Sequence, residues 1–161
     1  MAKYARMICV GLFAVSLLGS PSRARKRGDS QSGFGGLMKI TERGGHCRYG
    51  ECYSELIIEK NGDYAWAQGA PGAAIRRKGR ISAQEVLQLT AQIKATKFAT
   101  IKARKFIGTC PRAYDGRERT YIFNTAEGIA AISACTYEVD STLPLFHMAN
   151  DLIAGIYARE R

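Results

Sequence analysis

The chain carries none of the short signatures that announce a catalytic or cofactor site: no G-x-S-x-G, no H-E-x-x-H, no P-loop and no dinucleotide-binding glycine run. Function therefore cannot be assigned by motif. Histidine is nearly missing, with two in 161 residues, so a base titrating near neutrality can only be His46 or His147. Asp115, Glu118, Glu138 and Asp140 are scattered, with no spacing that pairs carboxylates for acid/base work. Only one long uncharged run exists, Met7 to Gly19, and no second apolar run follows it. That run is short for a membrane span, which needs about 20 apolar residues.

The run has a different reading. Lys3 and Arg6 precede it and Ser22-Arg23-Ala24 follows as a small-x-small site, so residues 1–24 are expected to be a secretory signal peptide. Residues 25–36, RKRGDSQSGFGG, form a basic Gly/Ser-rich linker without periodicity. The tripeptide Arg27-Gly28-Asp29 within it matches the one integrins read, and chance in a basic glycine-rich stretch accounts for it. Residues 37–161 are then one domain, long enough to bury a real core. The whole chain has a formal charge of +10. Three of the 24 basic residues and none of the 14 acidic ones leave with the signal peptide, so the remainder carries +7. A field of that sign favours acidic partners, either an anionic polymer or an acidic protein surface, or serves solubility alone.

Five cysteines become four once Cys9 is removed, an even number that suits a disulfide framework in an exported chain. Cys47, Cys52, Cys110 and Cys135 allow three pairings, of which Cys47–Cys52 with Cys110–Cys135 is favoured because each bridge then brackets a local turn or loop. A zinc site is disfavoured, since C-x4-C followed by two distant cysteines is not a pair of knuckles. No cofactor or metal is implied. Oxidation would also remove the thiolate that a Cys/His nucleophile needs.

Asn61-Gly62 is a strong hairpin turn between two strand-like runs, HCRYGECYSELIIEK and DYAWAQ. As a two-residue turn it sets Ile58 against Ala65, Ile57 against Trp66 and Leu56 against Ala67. One face of the ribbon then reads Leu56, Ile58, Ala65, Ala67 and the other Tyr53, Ile57, Tyr64, Trp66. Leu37 to Glu42 is a preceding strand, ending at Arg43-Gly44-Gly45. After the loop Gly69-Ala70-Pro71-Gly72, Ile75 to Ile81 reads as a strand with Arg76, Lys78 and Arg80 on one face. Beside Tyr64 and Trp66, those three cations would suit stacking on a sugar or base. They would equally protect an edge strand from aggregation.

Ser82-Ala83-Gln84-Glu85 is a capping box opening a helix to about Ala95, with Val86, Leu89 and Ile93 plus Leu87 and Thr90 as its apolar stripe. Lys97 to Lys105 brings Phe98 and Ile101 inward. Phe106 to Arg119 is a long polar loop stapled by Cys110. Thr120 to Asn124 and Ile129 to Ser133 form a second hairpin across Thr125-Ala126-Glu127-Gly128. Ser141 or Thr142 can cap a last helix from Pro144 to about Arg159, whose inward residues are Leu145, Phe146, Ala149, Leu152, Ile153 and Ile156.

The order Gly45-His46-Cys47, a second cysteine soon after, Tyr53, an apolar strand, an Asn-Gly turn, a Ser-capped helix and Lys97-Phe98-Ala99 resembles an uncharacterised family of small exported bacterial proteins. The resemblance spans roughly Ile40 to Ser133 and implies fold and export. It departs from the family pattern in its wider C-x4-C spacing and in Tyr53 after the second cysteine, and it implies no catalytic residues.

The expected architecture is α+β: an antiparallel sheet of about five or six strands, two helices on one face and two disulfides. The expected function is a non-enzymatic exported binding protein that engages an anionic partner through Tyr64, Trp66, Arg76, Lys78 and Arg80. The alternative is a secreted hydrolase inhibitor acting through Tyr114 and Asp115 on the stapled loop. A third reading is a small hydrolase using His46 or His147. Oligomeric state is not legible.

Overall fold

The computed structural model describes residues 34–47, 50–69 and 75–160. The expected signal peptide, the Arg27-Gly28-Asp29 tripeptide and most of the linker lie outside the described residues, as does the side chain of Cys47.

Six strands form one antiparallel sheet: β1 (Met38–Cys47), β2 (Gly50–Ile58), β3 (Asp63–Gly69), β4 (Ile75–Arg80), β5 (Arg117–Thr125) and β6 (Gly128–Ser133). Their spatial order is β4-β3-β2-β1-β5-β6. Strand β1 is thus central, joined to β2 locally and to β5 across more than seventy residues of sequence. Strand β1 does not stop at Gly44-Gly45 as expected. It runs on to Cys47 through an irregularity between Arg43 and His46, where Gly44 (φ 114°) and Gly45 (φ 74°) take backbone angles that other residues resist. A Cβ at Gly44 would lie 2.1 Å from the Gly116 carbonyl oxygen, so the main chain there packs directly on the approach to β5.

The β2–β3 hairpin corrects the expected register by one residue. Gly62 N–H donates to the Glu59 carbonyl at 3.0 Å and Glu59 N–H to the Asp63 carbonyl at 2.8 Å, which makes Lys60-Asn61-Gly62 a three-residue loop with Gly62 at φ 90°. Asp63 N–H also donates to Asn61 Oδ1 at 3.0 Å. The pairs become Leu56–Trp66, Ile57–Ala65 and Ile58–Tyr64. Because side chains alternate with period two, the slip turns every β3 side chain to the opposite face. Tyr64 and Trp66 therefore join Leu56 and Ile58 in the core, at 5% and 6% exposure, and leave the face where the aromatic surface was expected. Large rings bury on the order of 200 Å² each. At ~25 cal/mol per Å² this favours their inward register by several kcal/mol over one that buries Ala65 and Ala67.

Three helices follow: α1 (Ala83–Ala95), α2 (Phe98–Ala103) and α3 (Pro144–Arg159). All three contribute to the core cluster over the face of Met38, Ile40, Leu56, Ile58, Trp66, Tyr121, Phe123 and Ile132. Both halves of the Ser82–Glu85 capping box are present. Leu89 and Ile93 are buried and Val86 packs beside them, whereas Leu87 is 68% exposed. It lies about 100° around the helix from Val86, off the stripe expected to include it. Helix α3 begins on Leu143 and Pro144 without a side-chain cap, so neither Ser141 nor Thr142 fills the expected role. Asp140 instead accepts from the Thr142 N–H and hydroxyl, at 2.9 and 2.6 Å. The six predicted inward residues of α3 are all buried. This helix crosses the sheet, with Phe146 against Tyr121 (4.9 Å between ring centres) near its start and Tyr157 against Trp66 (5.3 Å) near its end.

A disulfide joins Cys110 to Cys135, as expected, and ties the short 3₁₀ turn Pro111–Tyr114 to the segment after β6. Closing a loop of that length contributes about 3.5 kcal/mol on the chain-entropy model. Cys52 is buried. The expected Cys47–Cys52 bridge falls on a side chain outside the described residues. Among the described residues no helix is long and apolar enough to cross a membrane.

Candidate functional site

Among the described residues the three α-helices pack on one face of the sheet. The other, open face carries no α-helix there, and Arg112 of the 3₁₀ turn Pro111–Tyr114 reaches its Glu118 at 3.3 Å. Register assigns that open face row by row. Arg76 lies in line with Ala67, Glu55, Thr41, Thr120 and Ser133. Lys78 lies in line with Ala65, Ile57, Lys39, Ile122 and Ala131. Arg80 stands opposite Asp63, and Arg43 next to Tyr53 on one side and Glu118 on the other. The expected ridge of Arg76, Lys78 and Arg80 thus exists, exposed along its length. Its inner neighbours, Ala65 and Ala67, are small, so the cations stand above a low shoulder.

The aromatic partner differs from the expected one. Trp66 stands opposite Arg77 on the covered face and Tyr64 opposite Gly79. The Tyr64 ring lies over Gly79, where a Cβ would come within 2.4 Å of the phenol oxygen, and its hydroxyl donates to Glu160 Oε1 at 2.7 Å. Burial, then the Glu160 hydrogen bond, raises the Tyr64 phenol. Among the described strand residues, the one aromatic ring on the open face is Tyr53, with the Arg43 guanidinium 5.6 Å from its centre.

Tyr53 belongs to a charged cluster that the sequence did not reveal. Lys39 Nζ lies 2.6 Å from Glu55 Oε2. Burial works to raise the Glu55 carboxyl, but hydrogen bonds from Lys39 and Tyr53 with the charges of Lys39 and Arg76 outweigh it and hold it below its usual range. The Tyr53 phenol is pushed up to about 12, first by burial and then by its hydrogen bond to Glu55 and that group's charge. At the ridge's far end Arg80 Nε donates to Asp63 Oδ1 at 2.7 Å. That bond, with another from Asn61, lowers the Asp63 carboxyl, and Arg80 is raised in return.

A second polar group missed by sequence reading sits beneath α3. Glu42 accepts from Arg119 Nε at 2.7 Å and from Ser54 Oγ at 3.3 Å, and Arg119 Nη1 donates to Asn150 Oδ1 at 2.6 Å. The Tyr121 hydroxyl also donates to Asn150 Oδ1, at 2.9 Å, and Tyr157 reaches Ser54 Oγ at 3.2 Å. These groups satisfy one another and act as a polar rim of the core.

The two histidines are not brought together. His46 lies 3.5 Å from Asp115 Oδ1 and His147 2.8 Å from Asp151 Oδ2, both exposed, and neither shares a cavity with the other among the described residues. The remaining carboxylates are engaged separately: Glu118 with Arg112 and Ser133, Glu138 with Arg104, Asp140 with Thr142. Tyr114 is 76% exposed at the stapled turn, and Asp115 beside it has φ 65°. A cleft of about 1010 Å³ lies between the α1–α2 junction and the β5–β6 turn, and no residue expected in a site lines it. Glu118 adjoins Cys110 and Cys135, whose sulfurs are joined and so offer no thiolate to a metal.

Neither protein-family models nor curated proteins match this chain.

Proposed function

We propose that the chain is an exported, non-enzymatic binding protein whose open sheet face takes an anionic partner. The observation that carries this reading is the column Arg76, Lys78, Arg80, exposed at every second residue of β4, with Lys39 and Arg43 further across the same face. Among the described strand side chains of that face, five cations meet three carboxylates, Glu55, Asp63 and Glu118, which supports an attraction for negative charge. The Cys110–Cys135 bridge is compatible with an oxidising compartment. The test is binding to a sulfated polysaccharide, single-stranded DNA and polyglutamate at graded salt. Affinity should fall steeply with salt, and the joint change of Arg76, Lys78 and Arg80 to alanine should flatten that dependence. Salt-insensitive binding, or binding indifferent to those three residues, would count against it.

A specific observation favours a second reading, that of a hydrolase inhibitor. The exposed Tyr114 and the left-handed Asp115 sit on a turn held by a disulfide, a rigid projection suited to an enzyme cleft. Full activity of secreted proteases and lysozymes at saturating protein would end it. Loss of inhibition on changing Tyr114 and Asp115 to alanine would support it.

A further inference from the structure

Strand β4 is an edge of the sheet, and its cations occupy the residues whose main chain faces outward. Ile81 N–H donates to the Gly62 carbonyl at 3.0 Å, which turns the main chain of Ile81 toward β3. Along an antiparallel strand the N–H and C=O of successive residues point to alternate sides. Gly79, Arg77 and Ile75 therefore bond to β3, and Arg80, Lys78 and Arg76 present their main-chain groups to solvent. The next strand agrees, since Glu59 N–H donates to the Asp63 carbonyl and so sets Asp63, Ala65 and Ala67 toward β2, with Tyr64, Trp66 and Gln68 toward β4. One outward acceptor is already in use: Arg77 Nη1 donates to the Arg76 carbonyl at 3.2 Å.

We infer that the anionic partner is an extended acidic polypeptide that adds to β4 as a seventh strand, an inference that rests on the anion-binding reading above. A strand laid along this edge would exchange main-chain bonds with Arg76, Lys78 and Arg80. The partner residues directly opposite them would carry their side chains to the same open face. Recognition thus demands carboxylates at every second residue, three in succession. The intervening residues pass over the rim of the covered face, where Ile75 is 55% exposed, so the residue opposite Ile75 would be apolar. The same charges repel basic strands and would be desolvated without compensation beside neutral ones, which turns the usual protection of an edge into selection for one kind of strand.

The experiment uses the full chain and three synthetic peptides: one with glutamates alternating with threonine and valine, one of identical composition with its glutamates consecutive, and the alternating peptide with N-methylated glutamate amides. The alternating peptide should bind about tenfold or more tightly than the other two, the effect of one to two main-chain hydrogen bonds. It should also slow hydrogen exchange at the amides of Arg76, Lys78 and Arg80. Equal binding of all three peptides would overturn strand addition while leaving the anion-binding reading intact. Failure of the peptides alongside salt-sensitive binding of the polysaccharide or DNA would overturn it in favour of that polymer. No binding of any polyanion would remove the anion-binding reading itself.

Discussion

Glu42 and Arg119 face each other directly across β1 and β5, with the Arg119 Nε donating to Glu42 Oε1 at 2.7 Å beneath α3. The pair lies at the polar end of a face that is otherwise aliphatic and aromatic. Glu42 is only 12% exposed at its side chain and Arg119 33%, so removal of one leaves the other poorly solvated. Arg119→Ala also removes the Nη1 hydrogen bonds to Asn150 Oδ1 and to the Tyr121 hydroxyl, which ties the loss to the seating of α3 on the sheet. A destabilisation of about 3 kcal/mol is expected, the lower end for a broken buried pair because Arg119 keeps some contact with water. Urea unfolding followed by far-UV circular dichroism measures it. Replacing both residues, Glu42→Gln with Arg119→Met, should cost less than Arg119→Ala alone; equal losses would mean the two are not coupled.

The register correction makes its own prediction, because Trp66 is the only tryptophan in the chain. Its ring is buried against Tyr157, and its indole N–H finds no hydrogen-bond partner among the described residues. Fluorescence should therefore peak well to the blue of free indole and resist acrylamide quenching. Binding of an anionic ligand on the opposite face should leave the spectrum almost unmoved. A red emission maximum that shifts on adding polyanion would restore Trp66 to the surface and reject the three-residue loop. Trp66→Ala should cost about 3–5 kcal/mol, as removal of a core aromatic does.

The elements that were legible are those specified by residues close together in sequence. The Ser82–Glu85 box marked the start of α1 and Pro144 that of α3, and the 3.6-residue spacing of Leu145, Ala149, Leu152 and Ile156 identified the buried side of the last helix. The Arg76, Lys78, Arg80 ridge was equally legible, since alternation is a local property. What escaped turned on single residues or on distance. Asn61-Gly62 is compatible with a two- or a three-residue loop, and that one residue decides which face owns Tyr64 and Trp66. The pair Gly44-Gly45 reads as a stop and is instead a bend within β1. The Lys39, Tyr53, Glu55, Arg43 cluster and the Glu42–Arg119 pair required knowing that β1 lies between β2 and β5, a pairing no local pattern encodes.

Tyr53 supplies the pH dependence that tests the open face. Its phenol titrates at about 12, against an ordinary value near 10, so the folded state holds the proton more tightly than the unfolded chain. A group whose pKa is raised on folding contributes its stability in full below the unfolded value and loses it as pH climbs through the folded one. The window for Tyr53 is accordingly pH 10 to 12. The residue is only half-buried, so the effect on stability should be small, and the titration itself is the sharper observable. Ultraviolet difference titration of the chain against Tyr53→Phe should isolate one tyrosine with a midpoint about 12. Lys39→Met removes a partner that holds Glu55 ionised, and Arg76→Ala removes a charge that favours the Tyr53 phenolate, so Arg76→Ala should move the midpoint further upward. A midpoint near 10 in the unaltered chain would mean that Tyr53 neither packs into the sheet nor bonds to Glu55, and the arrangement of the open face around it would have to be rebuilt.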